Sequence, residues 1–513
     1  MVAFAVEVPI TILHTTDLHA QIWPTTDYDG NQNVGGVARV ATKVAEIRAN
    51  TPNVLLVDAG DTIQGSAVGF LTDGQVMMKY LNYMKYDAWV LGNHEWDWGA
   101  DKLDACVKSV KIPIVTANVK YGGERKDIGG TASDRIATAC HPYRIIESAG
   151  VKVGIVGITT PGIPNWSRPH LIPGMQFESS VDALRRVIPE MKSKGAEILV
   201  LVTHQGWRES GDDHANQLNA VTREFPELDV IIGGHSHRHF PEHKLKGILY
   251  TQANYWGTYL GRVDFVYDTA AKKLVSRKAT TIPMDATVEY DKKLLRELSD
   301  DLDRTKAVNS EIVGEAAEDF LPTDGGRRET AIHNLIGESI RAALKKRGIE
   351  VVGVFHGLLD EKASLPKGEI AVRDVWRIVP YENTLGVADL AAAELREIME
   401  ESAALWQRQQ FRGLMGFKVK LKASGPVGER VVSLADAEGK PLDASRRYSI
   451  AFNSFDLASA GTRFKKLREL CERPASNLRE VDVQTRTAVV DYIRERKTVV
   501  PEVRGWWEPG GGR

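Results

Sequence analysis

Five short stretches of this chain set hydrogen-bonding or metal-ligating side chains directly after an apolar run. The first is His14-Thr15-Thr16-Asp17-Leu18-His19. Asp17 and His19 stand two apart, so in an extended segment both point to one side. A hard oxygen and an imidazole aimed alike can hold a divalent cation. The second stretch, Val57-Asp58-Ala59-Gly60-Asp61-Thr62, has a glycine that permits a tight turn and could aim Asp61 at the first. The third is Gly92-Asn93-His94-Glu95-Trp96-Asp97, the fourth Thr203-His204-Gln205-Gly206, and the fifth Gly233-Gly234-His235-Ser236-His237. Taken singly, each reads as a polar strand end or a loop cap. Their recurrence after successive apolar runs points instead to one shared site.

In open α/β sheets the ligand site lies beyond the carboxyl ends of the strands, where residues distant in sequence converge. Asp17, His19, Asp61, Asn93, His204, His235 and His237 are too many oxygen and nitrogen ligands for one tetrahedral ion. They suit two cations roughly 3.5–4 Å apart that share a carboxylate. Asp61 is the candidate bridge, because the other acid is already paired with His19.

The elements that must carry these residues are legible as runs of Val, Ile and Leu ending near 9–14, 53–58, 88–91, 112–117, 151–159, 198–203 and 230–232. They lack polar alternation, which suits strands buried on both faces. Between them lie helix-length segments. In 181–194, Val181, Leu184, Val187, Ile188 and Met191 share one face. The rhythm predicts a layered α/β domain. Beyond about residue 265 it changes. Residues 291–308 read as an exposed linker helix with Leu294, Leu295, Leu298 and Leu302 on one stripe. A second amphipathic helix is expected over 329–347, and Asp389 is expected to cap a long helix to about residue 410. Strands are expected at 417–421 and 448–452, so the second half reads as α+β. The tail from Pro501 is expected to be extended.

Composition narrows the function. The 513 residues carry 66 Lys plus Arg and 68 Asp plus Glu, a formal net charge of -2. That balance argues against a nucleic-acid polymer or a membrane surface as partner, both of which call for a basic excess. Three cysteines (Cys106, Cys140 and Cys471) make no disulfide framework and no zinc pattern. No run reaches the roughly 20 apolar residues of a membrane span. Ala3-Phe4-Ala5 has the form found before signal cleavage sites, and the first ten residues are not a complete leader.

Together, Asp-x-His, Gly-Asp-x-x-x-Gly, Gly-Asn-His-Glu, a lone strand-end histidine and Gly-x-His resemble the calcineurin-like metallophosphoesterase signature. The variants at Gly92–Asp97, 203–206 and 233–237 look like its 5′-nucleotidase branch. The resemblance implies a metallophosphoesterase β-sandwich flanked by helices over 1–290, a linker helix over 291–312, and an α+β 5′-nucleotidase-type substrate-binding domain over 313–513. It implies that Asp17, His19, Asp61 and His237 hold one ion and that Asp61, Asn93, His204 and His235 hold the other, with His94 and Asp97 as a catalytic dyad. Two divalent ions (manganese, zinc, cobalt or iron) would acidify a water and clamp the phosphate oxygens for in-line attack. The expected activity is release of phosphate from nucleotides. The alternatives are a cyclic-nucleotide phosphodiesterase, a hydrolase of a non-nucleotide ester, or a non-catalytic binding protein on the same scaffold. Relatives of this type are often exported, which favours a periplasmic or extracellular location.

In the second domain the resemblance rests on Leu365-Pro366-Lys367-Gly368-Glu369-Ile370 and Pro380-Tyr381-Glu382-Asn383. It implies Tyr381 as one stacking ring, Asn383 on the base, Phe455 as a second ring before a Gly-Gly-Asp-Gly-like turn, and cations from Lys362, Arg327 and Arg328. The chain departs from the pattern there. Lys362 stands where an arginine is expected and keeps the charge without the bidentate fork. The segment ahead of it has lost most of its glycines, and Thr462 occupies the acid position of the turn.

Overall fold

In the strand Glu7–Thr15, Ile10 and Ile12 enter one hydrophobic cluster while Leu13 enters another. Neighbouring side chains of a strand leave on opposite faces, so a strand apolar on both sides must have a layer against each. The computed structural model bears this out; it describes all residues except 1–6, 124–129, 322–327, 359, 361, 363, 407, 423 and 510–513. Ala3-Phe4-Ala5, Arg327 and Gly510-Gly511-Gly512 lie outside the described residues.

The chain divides into two compact units, Met1–Pro164 with Pro169–Thr305, and Asn165–Arg168 with Lys306–Arg513. The first unit holds two sheets. One has the order Lys273–Pro283, Tyr259–Asp268, Glu7–Thr15, Val54–Asp58, Ala88–Trp89, Ile114–Val115, Cys140–His141; the other runs His239–Leu245, Ile248–Ala253, Val230–Ile232, Ile198–Thr203, Val151–Ile158, Tyr143–Ser148. Between them a core mixes Ile12, Val57 and Val90 with Ile155, Val200 and Val230. The outer face of the first sheet packs Leu13, Leu56 and Trp89 against helices Val37–Asn50, Gln75–Met84 and Ala100–Ser109. The outer face of the second packs Val156, Leu199 and Ile231 against Ser180–Ser193 and Leu218–Glu224. This is a β-sandwich flanked by helices, as expected. The strands Glu7–Thr15, Val54–Asp58 and Ala88–Trp89 are mutually parallel, as are Val151–Ile158, Ile198–Thr203 and Val230–Ile232. Their carboxyl ends therefore open at common edges, as the convergence of ligand residues requires.

The stripe of the expected linker helix is not bare. Lys292–Glu297 and Ser299–Ser310 form two helices, with Asp291 accepting from the Lys293 and Leu294 N–H groups, and Leu294 and Leu298 are fully buried in the first unit's core.

The second unit is α+β. A five-stranded sheet has the order Gly413–Met415, Gly353–His356, Arg447–Asn453, Thr384–Ala391, Arg479–Gln484, and helices such as Ala331–Lys346, Ala392–Ala403 and Thr485–Arg496 share its core. Asp389 does not cap a helix. It lies inside the strand Thr384–Ala391, where it pairs with Ser449. That strand is paired along both edges, which outweighs the capping preference of a single acid. The helix starts at Ala392, its first turn closed by Glu394 accepting from the Ala391 N–H at 2.9 Å, and it ends at Ala403. Among the described residues no helix is long and apolar enough to cross a membrane.

Candidate functional site

The seven sequence-predicted ligands come together in the first unit. Potential ligand atoms of Asp17, His19 and His237 lie within 4.8 Å of one another, and so do those of Asp61, His204 and His235. Asn93 joins the second group, its Oδ1 lying 2.8 Å from His235 Nδ1. The two groups touch, because His204 Nε2 lies 4.0 Å from Asp17 Oδ1.

The backbone brings them there differently from the extended pairing expected at sequence level. Asp17, His19, Asp61, His235 and His237 all have φ between 49° and 67°, in the left-handed region. Such conformations cost a non-glycine residue roughly 1 kcal/mol or more each and persist only where the surroundings impose them. Here the loops impose them on each other. Asp17 N–H donates to Gly60 O at 2.8 Å, His19 N–H to Asp61 O at 2.9 Å, and Trp256 N–H to Asp17 O at 2.8 Å. Asp17 and His19 share a side because the chain coils after Thr15, not because a strand continues.

Outer partners then fix which ring nitrogen faces inward. His19 Nδ1 lies 2.7 Å from Gln64 O, and His204 Nδ1 lies 2.7 Å from Ala59 O. A carbonyl can only accept, so each Nδ1 carries a proton, and in the neutral ring Nε2 is the nitrogen that turns a lone pair into the site. His204 Nε2 is buried without a hydrogen-bond partner, although Asp61 Oδ2 is 2.9 Å away. His19 Nε2 and His237 Nε2 face each other tip to tip at 3.0 Å. Imidazole nitrogens and carboxylate oxygens gathered this closely suit a cation between them, so this donor set fits divalent metal ions.

The electrostatics agree. Burial, then the neighbouring His237, push His19 down to about 4, and burial, then His204, push His235 down to about 3, so both imidazoles are neutral. Burial raises the Asp61 carboxyl, but His204, His94 and His19 outweigh it and hold it well below the usual range. Burial lowers His204, while Asp61, Asp17 and Glu95 draw it up to about 9. The carboxylates thus set up a field that favours positive charge at the junction of the two groups.

His94 stands at the edge of this centre. Its N–H donates to Asp61 Oδ1 at 2.8 Å, and its Nδ1 meets Asp97 Oδ2 at 2.6 Å. The ring's other nitrogen, Nε2, lies 4.0 Å from Asp61 Oδ2.

Sequence reasoning quoted Glu95 without giving it a role. Its carboxylate is 1 % exposed and accepts N–H groups from Thr62 (2.6 Å), Gly92 (2.6 Å), Asp61 (3.0 Å) and Ile63 (3.3 Å). It therefore ties the loop bearing Asp61 to the loop bearing Asn93. An acid two residues after the ligand Asn93 and next to His94 was the available signal. Asp58 acts similarly, accepting from Thr15 and Thr62 hydroxyls and the Gly60 N–H.

The described substrate-binding candidates sit on separate segments of the second unit. Arg328 and Lys362 are exposed, Tyr381 is 37 % exposed, and Phe455 is half-buried in the short helix Ser454–Leu457. The loop carrying Tyr381 and Asn383 is held from behind by Arg486. Its guanidinium stacks 3.3 Å from the Trp376 ring centroid, donates to Val379 O and Pro380 O at 2.9 Å, and pairs with buried Glu382.

Comparison with known proteins matches this geometry. The family model for calcineurin-like phosphoesterases fits residues 10–239, and that for the 5′-nucleotidase C-terminal domain fits residues 312–469. The chain carries a calcineurin-like phosphoesterase domain followed by a 5′-nucleotidase C-terminal domain. It is 27% identical over 97% of its length to a snake venom 5′-nucleotidase of Naja atra, 98% of which is covered. It is 26% identical over 98% of its length to the trifunctional nucleotide phosphoesterase YfkN of Bacillus subtilis, of which it spans only 39%. The crystal structure of a 5′-nucleotidase precursor from Thermus thermophilus superposes with a TM-score of 0.73 at 27% identity, covering 99% of this chain and 100% of that one. As a calcineurin-like phosphoesterase the chain is a metal-dependent phosphoric ester hydrolase.

Proposed function

We propose that this hydrolase releases phosphate from nucleoside 5′-monophosphates. The observation that carries the reading is the pair of carboxylate–imidazole groups meeting at Asp61, with the His94–Asp97 dyad against the same carboxylate. In this reading Asp17, His19, Asp61 and His237 would hold one cation, and Asp61, Asn93, His204 and His235 the other. Manganese, zinc, cobalt and iron all accept such mixed oxygen and imidazole donors. Bound there, two divalent cations would acidify a water and neutralise the phosphoryl oxygens.

The remaining steps fall to side chains. Asp97 fixes the His94 ring through Nδ1 and stabilises its protonated form. His94 Nε2 is then the donor for a phosphoryl or leaving oxygen. Tyr381, Asn383 and Phe455, with the cations of Lys362, Arg327 and Arg328, would receive the nucleoside side of the substrate. The division of labour we propose assigns catalysis to 1–290, joining to 291–312 and substrate binding to 313–513. The two family matches support it. Export from the cytoplasm is proposed on the strength of the venom and precursor relatives.

A panel of AMP, UMP, cyclic nucleotides and sugar phosphates, with manganese or zinc added, tests the reading. The 5′-monophosphates should be turned over preferentially, and chelation or Asp61→Ala should abolish activity. Equal turnover of every ester removes nucleoside specificity. Activity that survives chelation removes the metal mechanism.

A further inference from the structure

Phe455 and the turn that follows it carry a charge the nucleotide reading does not use. The Arg463 guanidinium carbon lies 5.8 Å from the centroid of the Phe455 ring, and Arg463 is exposed. Asp456, the nearest acid in sequence, is not available to it. That buried carboxylate receives Arg412 Nε at 3.0 Å and Asn453 Nδ2 at 2.7 Å. Among the described residues no carboxylate pairs with Arg463.

The turn delivers this charge at a conformational cost. Ser459, Ala460 and Thr462 have φ of 88°, 46° and 73°, all left-handed without being glycine. It is held shut by Ala460 N–H donating to Phe455 O at 2.8 Å and Phe464 N–H donating to Ser459 O at 2.9 Å, with Ala460 and Phe464 fully buried. The result folds Arg463 back over Phe455. Strain kept by surrounding structure is a pointer to use. In the Gly-Gly-Asp-Gly-like pattern that the turn resembles, Thr462 stands in place of the acid, and the cation of Arg463 follows it directly.

We propose that Phe455 and Arg463 form a subsite for a planar group bearing a negative charge, so that nucleotides with an anionic base are preferred over neutral ones. The proposal rests on the nucleotide reading above and deepens it. The ring face away from Arg463 supplies a flat apolar surface, and the guanidinium 5.8 Å from the ring centroid supplies charge-assisted N–H donors that a carboxylate on the base can accept. A neutral base uses the face but leaves the guanidinium to water.

Orotidine 5′-monophosphate and UMP differ by one ring carboxylate and are the natural probes. The kcat/KM ratio of the first to the second should be about tenfold or more, the scale of one charge-assisted contact. Arg463→Met should bring it to about one, and Arg463→Lys should keep part of it. Arg496→Met, which removes a guanidinium 5.2 Å over Tyr492 elsewhere in the same unit, should leave the ratio unchanged. Equilibrium binding of both nucleotides to chelated protein reads the same preference without turnover. If both are hydrolysed equally well and Arg463→Met changes nothing, the subsite is refuted and the nucleotidase reading stands. If neither is hydrolysed yet orotidine 5′-monophosphate binds more tightly through Arg463, the subsite stands and the nucleotidase reading falls. No binding and no turnover refutes the subsite.

Discussion

Replacing Glu95 by glutamine removes one charge, keeps the shape, and should still disable the metal centre. The carboxylate now accepts four backbone N–H groups, Thr62 and Ile63 on Oε1, Gly92 and Asp61 on Oε2. A carboxamide has one oxygen. If it keeps Thr62 and Ile63, its NH₂ confronts the N–H groups of Gly92 and Asp61. Two buried donors then lose their acceptor, at about 1–3 kcal/mol each, so roughly 2–6 kcal/mol is at stake. The protein can absorb that globally or by parting the two loops, and parting them moves Asp61 away from Asn93. We expect a mixture of both: a fall in unfolding free energy of a few kcal/mol, and metal affinity weaker by roughly 10–100-fold, the usual range for outer-shell changes. Calorimetric titration of manganese into chelated protein gives the second number, and denaturant unfolding of the chelated protein gives the first. Glu95→Gln with metal affinity within twofold of wild type and unchanged stability would refute the idea that this carboxylate couples the loops.

Three other substitutions have outcomes set by the geometry. His94→Gln should lower kcat by roughly 10²–10⁴, the range for a positioned proton donor, with metal content unchanged by elemental analysis; Asp97→Asn should lose less, because it removes orientation rather than the donor. In the second unit, burial, then the Arg412 charge, hold His356 down to about 4, below its ordinary 6.5. A histidine depressed in the folded state contributes stability that is present above pH 6.5 and lost as pH falls toward 4, because only the unfolded chain takes the proton. Between pH 7 and 5.5, His356→Gln should therefore abolish about 1.2 kcal/mol of the pH sensitivity seen in denaturant unfolding. An identical pH dependence in wild type and variant would show that His356 is solvated.

What the sequence by itself determined is the chemistry and its address. Side-chain types at strand ends follow from local pattern: Val, Ile and Leu runs buried on both faces must end where polar residues begin. Those ends converge by topology, which is why the sequence pattern alone groups Asp17, Asp61, Asn93, His204 and His235. Only the tertiary structure decided how they are held. The left-handed backbone at Asp17 and His19 comes from loops bonded across 40 or so residues of sequence, and nothing in Asp-x-His reports it. Asp389 misled for the same reason, since a strand paired on both edges is a long-range fact and a capping preference a short-range one. The tautomers of His19 and His204, set by the carbonyls of Gln64 and Ala59, likewise belong to the fold. So does the guanidinium over Phe455, because its position depends on a turn whose strain is sustained by burial elsewhere. Residue type fixes what a group can do; the direction it faces is a property of contacts between segments distant along the chain.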